Sequence, residues 1–141
     1  MNRLVTGIVL SVLLSHPAQA AERITSEQIQ QVIDATDAAA MNRDTAGIGV
    51  YLSDSFEKTI EFPYKKWMAK VKLDKIDYLI LIDEGWVKTG EYNYQRNNTE
   101  IHILPDGLSG LSLSTITENI VVNGEKMTSK FREYATYELE N

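Results

Sequence analysis

The chain has 141 residues, 43% of them hydrophobic and 24% charged, with 14 basic and 20 acidic side chains. That is the composition of one globular domain, not of a disordered or fibrous chain. A formal net charge of −6 repels phosphate backbones and anionic lipid, which argues against nucleic acid and membrane surfaces as partners. With no cysteine and only His16 and His102 as histidines, disulfides are excluded and the usual zinc ligand sets are not available. No cofactor or metal is expected.

The first twenty residues read differently from the rest. Arg3 gives a positive start, Leu4 to Leu14 is mostly apolar, and "SHPAQA" ends in small residues at Ala18 and Ala20. This is the pattern of a secretory signal peptide cleaved after Ala20. The apolar run is too short for the roughly 20 residues that span a bilayer, and no cysteine near the cleavage site offers a lipid anchor. The expectation is an exported, periplasmic protein with no stable membrane anchor, made of a leader (1–20) and one domain (21–141). Removal of the leader takes Arg3 with it and leaves the domain one unit more acidic.

Thr25 and Gln28 form a capping-box pattern, and Ile29, Val32, Ile33, Thr36 and Ala40 follow at helical spacing, predicting a helix from about Ser26 to Asn42. Asp44 is a second cap candidate, opening a short helix that Gly47 and Gly49 weaken. From Phe56 the period changes to two, with Phe56, Ile60 and Phe62 on one face and Glu57, Thr59 and Glu61 on the other. Trp67, Ala69, Val71 and Leu73 alternate in the same way, so the stretch predicts a hairpin turning at "PYK"; a helix opened by Pro63 is the alternative. Asp74 caps a third helix, apolar at Ile76, Leu79, Ile80, Ile82, Trp86 and Val87, and so expected to be covered on more than one side.

The remainder reads as a β meander. Tyr92 and Tyr94 share a phase opposite to that of Ile101 and Ile103, which requires a bulge or bend near Asn97 and Asn98. Turns are expected at "PDG" (Pro105–Gly107) and "NG" (Asn123, Gly124). Leu111 and Leu113 fall out of phase with Ile116, Ile120 and Val122, so matching phase breaks in two long strands suggest a strongly curved sheet. In the last strand Met127, Ser129, Phe131, Glu133, Ala135, Tyr137 and Leu139 share the apolar face.

Helices followed by a bent antiparallel sheet, with the helix break "NRD" at Asn42–Asp44, resemble the nuclear-transport-factor-2-like superfamily. That group includes SnoaL-like polyketide cyclases, ketosteroid isomerase and scytalone dehydratase. The resemblance covers Ser26 to the end and implies an α+β fold in which the sheet wraps the helices into a cone that often holds an apolar ligand. It also implies one more strand after a hairpin, where this sequence stops at "ELEN". The final strand is then missing, through truncation or because a second subunit covers the edge. A homodimer through the outer sheet face is the expected assembly.

Glu133 is the leading ionisable candidate. A carboxylate in the apolar phase of a concave sheet can act as acid, base or polar anchor, or the face is only half dry there, or the carboxylate is paired with Lys or Arg from a neighbouring strand. The isomerase constellation implied by the resemblance is not reproduced: Thr36 stands where a helix-one tyrosine is expected, and only Glu61 stands near the position of the base. His102 points away from Ile101 and Ile103, and Asp34 and Asp37 lie one turn apart on the first helix. Trp67, Trp86, Tyr78, Tyr92, Tyr94, Phe131 and Tyr137 form an aromatic set large enough to line a pocket, with core packing as the alternative use. The expectation is a binder of a small apolar molecule held by Trp86, Tyr94, Phe131, Tyr137 and Glu133; the competing one is proton-transfer catalysis by Glu133, and a third is a protein-binding dimer.

Overall fold

The computed structural model describes residues 22–139, apart from the side chains of 61–64, together with the backbone of Val5–Val12. Ala20, the expected cleavage position, lies outside the described residues, as does most of the remaining leader. Among the described residues, no helix is long and apolar enough to cross a membrane.

The chain begins its helical layer at a reciprocal capping box: Gln28 N–H donates to Thr25 Oγ1 (3.2 Å) and Thr25 N–H donates to Gln28 Oε1 (2.8 Å). Helix α1 (Ser26–Met41) follows and buries Ile29, Val32, Ile33, Ala39 and Ala40 on one face. Asn42 closes it, its Nδ2 donating to the Ala38 carbonyl, and Arg43 takes a left-handed backbone (φ 55) that turns the chain. Asp44 then caps α2 (Thr45–Gly49) by accepting from Gly47 N–H at 2.9 Å. The "NRD" break is therefore a corner in which each residue has a separate structural task.

Strands β2 (Glu57–Tyr64) and β3 (Trp67–Asp74) pair as an antiparallel hairpin with Tyr64 opposite Trp67, so Pro63 lies in a strand and opens no helix. Asp74 caps α3 (Lys75–Val87), accepting from Asp77 N–H. The expectation that α3 is covered on several sides is not met. None of its residues is fully buried; Tyr78, Leu79, Ile82 and Trp86 pack on the core while Ile76, Ile80 and Val87 face outward. Its apolar circumference came from the "YLILI" run, of which one stripe suffices to dock the helix.

Strands β4 (Tyr92–Ile103), β5 (Ser109–Val122) and β6 (Glu125–Leu139) form an antiparallel meander, and β1 (Val5–Val12) runs parallel to β6 at its other edge, giving the order β1-β6-β5-β4. The register of β4 shifts between Asn97 and Glu100, with Asn98 left-handed, as the phase change in the sequence requires. No such shift occurs between β5 and β6. Leu111 and Leu113 simply lie on the outer face, and the inner face of β5 continues through Gly110, Ser112, Ser114 and Ile116. These small residues make room for α1: a Cβ on Gly110 would run into Ile29 Cδ1. The hairpin between β5 and β6 turns at Asn123 and Gly124, both left-handed, which is the backbone that a two-residue hairpin needs. The fold is α+β, with helices packed on antiparallel sheets, and the sheet is not closed.

Candidate functional site

Strand alternation aims three inner-face series at the helices. Tyr92, Tyr94 and Arg96 come from β4, Glu118 from β5, and Ser129, Phe131, Glu133 and Tyr137 from β6. With Thr36, Asp37 and Ala40 of α1, Lys58 and Ile60 of β2, and Tyr78, Ile82 and Trp86 of α3, they line a partly open cavity of about 220 Å³. This is smaller than the roughly 300 Å³ at which drug-sized ligand pockets begin, and suits only a compact molecule.

One wall is ionic. Arg96 donates through Nε to Asp37 Oδ2 (2.9 Å) and through Nη2 to Asp37 Oδ1 (2.9 Å), a bidentate pair. Its Nη1 donates to Glu133 Oε1 at 2.8 Å, and Nη2 also reaches the Tyr94 hydroxyl at 2.9 Å. The side chains of Arg96 and Glu133 are only 9% and 7% exposed. Burial works against the guanidinium charge, but the Glu133 and Asp37 carboxylates overcome it and raise the Arg96 pKa above its usual value. Tyr94 is pushed well above the ordinary phenol range, first by burial and then by the Glu133 charge. Deeper in, Tyr137 shares a 2.9 Å hydrogen bond with Ser112, and burial moves its pKa to about 12.

The opposite side carries a second charged group. Lys58 is 7% exposed, with its Nζ 4.2 Å from the centroid of the Tyr78 ring. Tyr92 hydroxyl donates to Glu118 Oε1 at 3.3 Å, and burial raises the Glu118 pKa while the Lys58 charge lowers it. The remaining walls are aromatic and aliphatic, with Trp86 and Tyr92 in an edge-to-face contact at 6.0 Å.

The five residues singled out from the sequence, Trp86, Tyr94, Phe131, Glu133 and Tyr137, all line this cavity. Glu133 is paired, and its partner Arg96 lies two strands away. Of the two helix-one aspartates, Asp37 joins the ionic wall, whereas Asp34 is exposed and accepts from Gln30. Thr36 reaches the cavity but spends its hydroxyl on the Val32 and Ile33 carbonyls. His102 is exposed, 3.6 Å from Glu100, and Trp67 is 78% exposed and takes no part. The Glu61 side chain lies outside the described residues. Among the described residues, no group of three or more His, Cys, Asp or Glu is arranged to hold a metal ion.

Lys58, Arg96 and Glu118 escaped the sequence reading. Each occupies an apolar phase: Lys58 lies between Phe56 and Ile60, Arg96 follows Tyr92 and Tyr94, and Glu118 lies between Ile116 and Ile120. The same interruption that drew attention to Glu133 was available at all three.

No protein-family model matches the chain, and no curated protein does. Among solved structures, a ketosteroid isomerase-like protein from Erwinia carotovora atroseptica is 10% identical over 80% of this chain and 95% of its own, with a TM-score of 0.49. A candidate dehydratase of the NTF2-like family from Streptomyces avermitilis is 15% identical over 82% and 96%, with a TM-score of 0.46. A candidate polyketide cyclase from Xanthomonas campestris is 8% identical over 77% and 87%, with a TM-score of 0.45.

Proposed function

We propose that the protein binds a small, largely apolar molecule in the cavity between the sheet and the helices, and that it does so as an exported protein. The observation that carries this reading is the cavity itself: about 220 Å³, walled by Trp86, Tyr94, Phe131 and Tyr137, with the polar groups gathered at defined places. Apolar surface removed from water supplies the affinity, at roughly 25 cal/mol per Å². Glu133, held by Arg96, supplies a fixed polar contact.

Native mass spectrometry of the purified chain tests this directly. An added small-molecule mass that is lost on denaturation is expected, and Ala40→Phe, which fills the cavity from α1, should abolish it. A bare chain that also fails to take up a naphthalene-sized hydrocarbon would overturn the reading.

Proton-transfer chemistry by Glu133 is the second reading. It is favoured by the placement of this carboxylate on the cavity wall beside the Tyr94 hydroxyl, both joined to Arg96. A rate on any carbonyl substrate that stays flat between about pH 4 and 8 would count against it.

A further inference from the structure

A formal net charge of −6 argues against anionic surfaces as partners, but the charge is not evenly spread. From Phe62 to Lys72 the sequence carries Lys65, Lys66, Lys70 and Lys72 and no acidic residue. This stretch is the far half of the β2–β3 hairpin, which turns at Lys65 and Lys66 with Lys65 in a left-handed backbone (φ 55). The acids of the hairpin lie further back: Glu61 stands opposite Lys70 in the register, and Glu57 pairs with Lys72 at 2.7 Å. Both turn lysines are exposed and lie beyond these acids, so the tip is a local excess of positive charge on an acidic domain.

The same tip is apolar on both sides. Lys58, Ile60, Val71 and Trp67 share one face by alternation and register, and along it exposure rises from the buried Lys58 to 78% at Trp67. Met68 belongs to the opposite face and is 58% exposed. The hairpin therefore runs out of the core and ends with an indole on one side and a thioether on the other, both open to solvent. A groove on another protein covers one face of such a hairpin and leaves the other in water, whereas a lipid interface surrounds both. Indole rings concentrate at that interface, and neighbouring lysines reach anionic headgroups while their stems lie along apolar surface. The acidic remainder of the domain opposes the approach only weakly, because charges more than about 8 Å from the headgroups are largely screened at physiological ionic strength.

We propose that the β2–β3 tip is a reversible docking site for an anionic bilayer surface, with Trp67 and Met68 entering the interfacial layer and Lys65 and Lys66 lying among the headgroups. The contact is peripheral and does not depend on what the cavity holds. Its affinity is the sum of an apolar and an electrostatic contribution, each modest, so the loss of either releases the chain.

The test titrates the full chain with phosphatidylcholine vesicles, with and without about a third of phosphatidylglycerol, and reads binding by co-sedimentation and tryptophan fluorescence. The leader holds no tryptophan, so a fluorescence blue shift on binding does not come from it. The native chain should bind the anionic vesicles at least about tenfold more tightly than the neutral ones, and about 0.5 M salt should remove most of that difference. Lys66→Gln should weaken binding about fivefold, the effect of one lysine near a charged surface. Trp67→Ser should weaken it at least about tenfold and abolish the blue shift, and Met68→Ser should weaken it as well, because a bilayer engages both faces. Absence of binding, equal binding to both vesicles, or binding that all three variants retain each overturns the proposal, the last by assigning it to another part of the chain. Loss in Trp67→Ser with none in Met68→Ser overturns the two-faced insertion. A dimer in sedimentation velocity that Trp67→Ser dissociates, without vesicle binding, makes the tip a contact between two copies and also overturns it. If circular dichroism shows either apolar variant unfolded, the vesicle preference, its salt dependence and Lys66→Gln decide.

Discussion

Arg96 sits between two carboxylates, Asp37 and Glu133, and pairs with both. Its removal in Arg96→Met leaves Asp37 and Glu133 without their counter-charge, and the loss of one partner from a buried ionic cluster costs about 3–5 kcal/mol. Urea unfolding should record a loss of unfolding free energy of that size. Glu133→Gln should cost clearly less, because Arg96 keeps its bidentate pair with Asp37. Glu118 makes a different statement, about pH. Burial raises its folded pKa above the ordinary value of 4.5, so the folded chain holds this proton more tightly than the unfolded chain does. Across the window that opens at 4.5 and runs upward, the unfolded state binds fewer protons and stability falls as pH rises. Unfolding midpoints measured upward from pH 4.5 should therefore decline less in Glu118→Gln than in the native chain. The legibility of these residues in the sequence was uneven for a physical reason. The last strand alternates without a break, so Glu133 stands out against Phe131, Ala135 and Tyr137; Arg96 lies just before a bulge, and Lys58 lies in a strand whose apolar face was judged from Phe56, Ile60 and Phe62. An ion pair between β4 and β6 cannot be read from either strand alone.

At the scale of elements, caps and turns were the most legible features because their chemistry is local. The Thr25 box, the Asp44 and Asp74 caps and the Asn123–Gly124 hairpin each involve residues within a few positions of one another. Burial of α3 and the facing of Leu111 and Leu113 were not legible, since apolar character does not say which side of an element another layer will cover. The α1–β5 contact gives a sharp test. Gly110 lies where the Ile29 side chain comes closest to the sheet, and Ile29 is fully buried. Gly110→Ala should destabilise by about 1–3 kcal/mol through overpacking, measured by thermal or urea unfolding, and Ile29→Ala in the same chain should recover part of the loss.

At the scale of the molecule, the sheet edge and the cavity wall matter most. β1 pairs with β6 along Arg132–Leu139, so removal of the expected leader would leave the outer-edge backbone groups of β6 unpaired. Hydrogen exchange should show those β6 amides slow in the full chain and faster in residues 21–141. The last consequence concerns α3, which has no fully buried residue and yet supplies Tyr78, Ile82 and Trp86 to the cavity. It is fastened at both ends, and along its length by the Thr45 hydroxyl, which donates to Asp83 Oδ1 at 2.9 Å. Lys75 Nζ donates to the Leu52 carbonyl (2.8 Å) near its start, and the Arg43 guanidinium grips the Thr89 and Gly90 carbonyls (2.8 and 2.6 Å) just past its finish. A wall held by such latches, with one apolar stripe and no fully buried residue, sets the residence time of whatever lies behind it. Arg43→Gln, which does not line the cavity, should therefore release a ligand faster while leaving the lining side chains unchanged.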